Sequence, residues 1–162
     1  MIAMEPIGVI STPFTDPAGM PVQPAGSSGV SGTITLFDEY RAGLKDLEEF
    51  SHLILLYFFH RSQGYDLQIV PFLDTEIRGL FSTRAPKRPN PIGLSIVQLD
   101  RIEDGTLHIR NVDMLDGTPL LDIKPYVPKF DAHMNARAGW FDTSNLPSDL
   151  KSDRRFTPGQ KS

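Results

Sequence analysis

Between His52 and Ile123 the sequence alternates apolar runs with turn signals, and no segment between those runs has the length or period of a helix. The runs cover His52 to His60, Leu67 to Phe72, Gly79 to Ser82, Ile92 to Ile102, Thr106 to Asp113 and Leu120 to Ile123. A doubly wound parallel sheet needs a crossover, usually a helix, between successive strands. These runs lack one, so they predict antiparallel neighbours joined by turns. Upstream, residues 4 to 11 form another apolar run, and Val30, Gly32, Ile34 and Leu36 alternate with Ser31, Thr33, Thr35 and Phe37 as in a half-buried strand. The expected fold is mainly β: a small, mostly antiparallel β-barrel with one appended helix. That helix is placed after Asp38 as its cap, with Tyr40, Leu44, Leu47 and Phe50 sharing a face.

A chain of 162 residues supports one ordinary domain. The expected division is a barrel domain over residues 1–142 and a polar extension over residues 143–162, where Pro, Gly and alternating charges replace apolar periodicity. Residues 15–29, rich in Pro, Gly and Ser, read as a long loop, and such loops are often functional. The absence of cysteine excludes disulfides, thiolate metal sites and cysteine nucleophiles. His52 and His60 are eight extended residues apart, roughly 26 Å, so they do not share a metal and none is expected. The longest strongly apolar run, Leu53 to Phe59, is too short to span a bilayer. Glu5 and Pro6 stand where a signal peptide would be basic and then apolar, so the cytoplasm is the expected compartment.

A net charge of −4 argues against a surface that grips nucleic acid everywhere. It leaves room for a local cationic site. Phe81 to Leu94 contains Arg84, Lys87 and Arg88, no acid, and prolines at 86, 89 and 91. Each proline fixes its own φ and biases the preceding residue toward extended geometry, so this segment reads as a stiff cationic loop that meets an anion at little ordering cost. No Gly-x-Gly-x-x-Gly follows a first strand, which excludes the usual dinucleotide fingerprint.

That loop, followed by Asp113-Met-Leu-Asp-Gly-Thr-Pro-Leu-Leu-Asp-Ile-Lys-Pro-Tyr-Val-Pro128, resembles the two signature blocks of the TrmO family, also called TsaA-like or YaeB-like. The resemblance extends through Pro6 to Pro13, Pro21-Val-Gln-Pro24 and Leu47 to Leu53, covering residues 4–131. It implies a β-barrel that binds S-adenosylmethionine and, in characterised members, methylates N6 of threonylcarbamoyladenosine beside the tRNA anticodon. It also implies a homodimer with the cofactor near the subunit interface.

Carried over residue by residue, the resemblance places the cofactor against Pro21, Val22 and Gln23, against His60 and Arg61, and against Arg84, Leu94 and Asp113, Met114, Leu115 and Asp116. Two positions depart from the family: Val22 stands where it has Arg, and Arg61 where it commonly has Gln. Arg84 suits the cofactor's carboxylate through bidentate hydrogen bonds. Lys87, Arg88, Asn90 and Lys124 are the expected substrate contacts: Lys87 or Arg88 for a threonyl carboxylate or tRNA phosphates, the Asn90 amide for a base or the loop itself, and Lys124 for the pocket wall or a pair with Asp122. The acceptor nitrogen is acylated and weakly nucleophilic, so a base is expected; His60, Asp122 and Tyr126 are the candidates. Longer bacterial members carry a further C-terminal domain for which this sequence has no room, which keeps two alternatives open. One is a methyltransferase for a smaller substrate, and the other a non-catalytic S-adenosylmethionine sensor.

Overall fold

The computed structural model describes residues 1–18, 20, 28–72 and 74–143. Pro21, Val22, Gln23 and the polar tail beyond Thr143 lie outside the described residues. The strands are β1 (Gly8–Ser11), β2 (Ser31–Leu36), β3 (His52–Phe58), β4 (Gln68–Ile69), β5 (Arg78–Gly79), β6 (Ile92–Glu103), β7 (Thr106–Arg110) and β8 (Thr118–Pro125). Six of them close into an antiparallel barrel in the order β1-β2-β7-β6-β3-β8, with β8 returning to β1. The other two, β4 and β5, form a small separate ladder.

Period-two alternation builds the barrel interior. Leu53, Leu55 and Tyr57 of β3 point inward with Ser95, Val97 and Leu99 of β6, Ile34 and Leu36 of β2, Leu107 and Ile109 of β7, Ile10 and Leu120, all of them buried. Two irregularities adjust that parity. The register of β6 against β7 skips Asp100, which lets Ile102 rejoin the core side, and the register of β8 against β3 skips Leu121, which does the same for Ile123.

Several expected elements take a different form. The helix after Asp38 is a pair of 3₁₀ turns, Asp38–Leu44 and Leu47–Glu49, parted by Asp46 at φ 69°. Its start is Phe37, with no side-chain cap; Asp38 pairs instead with Arg41 at 2.9 Å. Tyr40 and Leu44 of the first turn and Leu47 of the second still pack on the core, whereas Phe50 is exposed. The strand expected over Leu67 to Phe72 shrinks to β4, since Pro71 has no N–H to extend it. Gly79 ends β5 and leads into a 3₁₀ turn, Leu80–Ser82. A short helix, α1 (Pro128–Asp131), and a 3₁₀ turn, Gly139–Thr143, follow the barrel. No helix among the described residues is long and apolar enough to cross a membrane, and none of their His, Asp and Glu side chains cluster as a metal site.

Candidate active site

The C-terminal ends of β1, β3 and β7 and the N-terminal ends of β2, β6 and β8 share one end of the barrel. The β7–β8 connection, Asn111 to Gly117, crosses there and is fastened to the chain leaving β1. Thr12 Oγ1 donates to the Met114 carbonyl at 2.8 Å, Thr12 N donates to Asp116 Oδ1 at 3.0 Å, and Asp116 N donates to the Phe14 carbonyl at 2.7 Å. Gly117 turns the chain at φ 77°, and its N–H donates to Ile10 at 2.9 Å. Thr118 Oγ1 caps the Leu115 carbonyl at 2.6 Å. The loop therefore presents Asp113 and Asp116 from a rigid backbone.

The two acids have different surroundings. Asp116 is exposed. Asp113 keeps some surface as a residue, but its carboxyl is turned toward the barrel, where Ser95 Oγ donates to Oδ1 at 2.5 Å and shares a 2.9 Å hydrogen bond with Tyr57 Oη. Burial raises the Asp113 pKa to about 6, against the opposing pull of the Ser95 hydrogen bond and the Arg84 charge. Tyr57 is also pushed up, by burial first and then by the charge of Asp113, so its phenol stays protonated. Arg84 acts electrostatically on both groups, which brings the cationic loop to the same barrel end.

His60 lies just past β3, half-buried, with its N–H donated to Phe58 at 2.8 Å. Burial and the neighbouring Arg61 charge lower its pKa, opposed in part by Asp116. A neutral imidazole at neutral pH follows. Arg61 is exposed and donates through Nη1 to the Thr15 carbonyl at 2.9 Å.

The cationic loop is braced from within. Arg88 Nη1 donates to the carbonyls of Thr83 at 3.0 Å, Ala85 at 3.2 Å and Leu80 at 3.5 Å, and its guanidinium lies 5.8 Å from the Phe81 ring centre. Arg88 thus shapes the loop, while Arg84 is exposed and Lys87 half-buried. Asn90 is exposed and its carbonyl accepts from Ile92 N at 2.7 Å.

Four expected residues stand elsewhere in the chain. Leu94 is on the outer wall opposite Leu56, its side chain pointing away from the inward Ser95. Asp122 and Lys124 lie on the outer wall of β8, paired at 2.8 Å. Tyr126 is at the opposite barrel end, its N–H on His52 and its ring 6.4 Å from the His52 ring. Sequence reasoning missed Thr12, Tyr57 and Ser95. A hydroxyl at an inward parity of an otherwise apolar strand is the signal that marks Ser95.

A sequence profile of the tRNA-methyltransferase O N-terminal domain matches residues 9–132. The chain belongs to that family. It is 51% identical to a "Probable S-adenosyl-L-methionine-binding protein" of Pyrococcus abyssi, over 96% of this chain and 85% of that protein. It is 39% identical to the tRNA (adenine(37)-N6)-methyltransferase of Mus musculus over 81% of this chain, which spans only 32% of the mouse protein. The crystal structure of TrmO from Pseudomonas aeruginosa superposes with a TM-score of 0.73 at 39% identity, covering 86% of this chain and 62% of the other. The barrel just described is therefore the fold of the tRNA-methyltransferase O family.

Proposed function

We propose that this protein is an S-adenosylmethionine-dependent methyltransferase acting on tRNA, with N6 of threonylcarbamoyladenosine at position 37 as the acceptor. The observation that carries the reading is the meeting of Arg84 with the acidic loop at one barrel end, in a member of this family. The donor set suits the cofactor: Arg84 and Arg61 match its carboxylate, and Asp113 and Asp116 match its ribose hydroxyls and its ammonium. The bound cofactor supplies an electrophilic methyl group on a sulfonium. The protein's part is to hold the acceptor nitrogen in line and remove its proton. Of the three candidate bases, Tyr126 is at the opposite barrel end and Asp122 is paired with Lys124 on the outer wall, whereas His60 lies just past β3 at the mouth, and its lowered pKa keeps it able to accept a proton at neutral pH. Lys87 is the cation this reading assigns to the threonyl carboxylate or an adjacent phosphate.

The reading includes a cytoplasmic homodimer. Ile54 opposite Ile96, Leu56 opposite Leu94 and Phe58 opposite Ile92 make an apolar outer wall on β3 and β6, and Leu94, an expected cofactor contact, belongs to it. A second copy over this wall would bring Leu94 into an enclosed site. Sedimentation velocity at micromolar protein tests this, and a monomer removes it.

A second reading has one observation in its favour: the Pyrococcus relative, spanned over most of its length, is named for S-adenosylmethionine binding, whereas the mouse methyltransferase is far longer than this chain. A sensor or a small-substrate methyltransferase would bind the cofactor and ignore tRNA. Titration of S-adenosylmethionine calorimetrically, followed by methyl transfer to tRNA bearing threonylcarbamoyladenosine, separates them. Binding with transfer supports the first reading, binding without transfer moves the assignment to the second, and no binding defeats both.

A further inference from the structure

We propose that Tyr57 and Ser95 are positioning residues for the carboxylate of Asp113, and that position 93 is glycine so that the Tyr57 ring can take this role. Tyr57 of β3 pairs with Gly93 of β6. A methyl group built on Gly93 would overlap Cε2, Cζ and Cδ2 of the Tyr57 ring, so the ring lies across the β6 backbone where only glycine leaves room. From there the phenol reaches Ser95, two residues further along the same inward face, at 2.9 Å, and Ser95 reaches Asp113 at 2.5 Å.

The chemistry sets the direction of the chain. An ionised carboxylate only accepts, so the Ser95 hydroxyl donates its hydrogen bond to Asp113 and accepts one from the Tyr57 hydroxyl. Phe59 closes the other side of the tyrosine, edge-on at 5.4 Å between ring centres. The chain runs inside a barrel whose other buried groups are mostly Ile, Leu and Val; among the described residues, Tyr57 apart, only Thr83, Ser95 and Thr118 are buried residues with a polar side chain. Buried hydroxyls are expensive unless bonded, and apolar replacement of both members of a pair can be nearly neutral for stability. As mere scaffold this barrel would be served as well by Phe and Ala. What Tyr57 and Ser95 add is a fixed orientation for one carboxylate at the mouth, within the field of the Arg84 charge.

The inference rests on the placement of the cofactor at Asp113 proposed above, and the test separates the two. Calorimetric titration of S-adenosylmethionine is run on Tyr57→Phe, Ser95→Ala, Asp113→Asn and the two double variants with Asp113→Asn. In parallel, carbon-13 NMR follows the Asp113 carboxyl through a pH titration of the protein alone. That readout distinguishes Asp113 from the other groups at this end, His60, Asp116 and Arg84. We expect Ser95→Ala to weaken binding about tenfold and Tyr57→Phe about threefold, with neither adding to Asp113→Asn. The Asp113 midpoint should rise in Ser95→Ala, because that hydrogen bond favours the carboxylate. Wild-type affinity in both single variants, with Asp113→Asn weakened, overturns the positioning role and spares the cofactor placement. An equal loss from Ser95→Ala in the Asp113→Asn background also overturns it. Unchanged affinity in Asp113→Asn removes the cofactor from Asp113 and this inference with it. Tyr57→Phe keeps the ring that fills the barrel, so it carries the test if Ser95→Ala does not fold.

Discussion

The acidic loop from Asp113 to Asp116 and the cationic loop from Arg84 to Asn90 belong to one end of the barrel, where the Arg84 charge acts on Asp113, yet they are held by different means. The acidic loop is fastened outward, through Thr12, Phe14 and Ile10 to the chain around β1 and through Ser95 to β6. The cationic loop is tied to the rest of the chain at its flanks, Trp140 Nε1 donating to the Ser82 carbonyl and Phe59 N to that of Pro91, while between them it is braced from within by Arg88, which gathers the carbonyls of Leu80, Thr83 and Ala85. A change beneath the acidic loop should therefore be felt by the whole fold. A change within the cationic loop should stay local and appear mainly in binding.

The hardest test of that contrast is Gly93→Ala. The added methyl meets the Tyr57 ring inside the barrel, and overpacking of this kind costs about 3 kcal/mol. Urea unfolding should show a midpoint shift without a change in slope, and the double variant with Tyr57→Leu should recover part of the loss. Wild-type stability in Gly93→Ala would mean that the ring can move aside and that the acidic loop does not depend on it.

Next in size is the pH dependence of Asp113. Its folded pKa, about 6, lies above the ordinary carboxylate value of 3.8, so the folded state binds the proton more tightly than the unfolded state does. The stabilising contribution is present below about pH 4 and is lost as pH rises toward 6. A shift of this size corresponds to roughly 2 to 3 kcal/mol, so Asp113→Asn should be more stable than wild type at pH 8 and lose that advantage at pH 4. Equal pH profiles for the two proteins would show that the carboxyl is not desolvated. A carboxylate kept where it lowers stability at neutral pH is what a binding site, rather than a scaffold, calls for.

How much of this was readable beforehand follows from the same contrast. Strand alternation in Leu53 to Tyr57 and Ile92 to Leu99 is a local signal, and it gave an antiparallel barrel that the fold reproduces. The four-three spacing of Tyr40, Leu44 and Leu47 reads as one helical face, and the left-handed Asp46 that splits the segment into two 3₁₀ turns leaves no mark in that pattern. Arg84, Asp113, Asp116, His60 and Arg61 are legible as a set through the family blocks, and the barrel end gathers them. Tyr126, Asp122 and Lys124 follow the same block in sequence. They travel away from the mouth along β8, whose eight residues cover roughly 27 Å. Tyr57 and Ser95 were hidden because each sits in a run whose neighbours are core residues, and nothing local tells which strand faces which.

Arg84→Ala probes the cationic side. It removes an exposed guanidinium that makes no hydrogen bond to the barrel, so the unfolding curve at pH 4, where the charge of Asp113 is largely neutralised, should hold while S-adenosylmethionine binding weakens by about 2 kcal/mol, close to thirtyfold. Unchanged affinity by calorimetry would take Arg84 out of the site. A lowered unfolding midpoint would break the comparison, because it would make the exposed loop part of the stabilising framework.

The finest discrimination lies within the cationic loop, between two adjacent cations. Arg88 spends Nη1 on three carbonyls and stacks on Phe81, so Arg88→Ala should loosen residues 80–90 by about 1 kcal/mol, read as faster amide exchange confined to that segment. Lys87→Ala should leave exchange unchanged, since no such bracing comes from its ammonium, and instead reduce the slope of log affinity for tRNA against log salt by about one. Loosening in both variants would mean that the prolines at 86, 89 and 91 do not stiffen the loop as their fixed φ implies. A salt slope altered by Arg88→Ala and untouched by Lys87→Ala would reverse their roles, making Arg88 the phosphate contact and Lys87 a bystander. The two outcomes separate a loop built to hold its own shape from one that acquires its shape on meeting an anion.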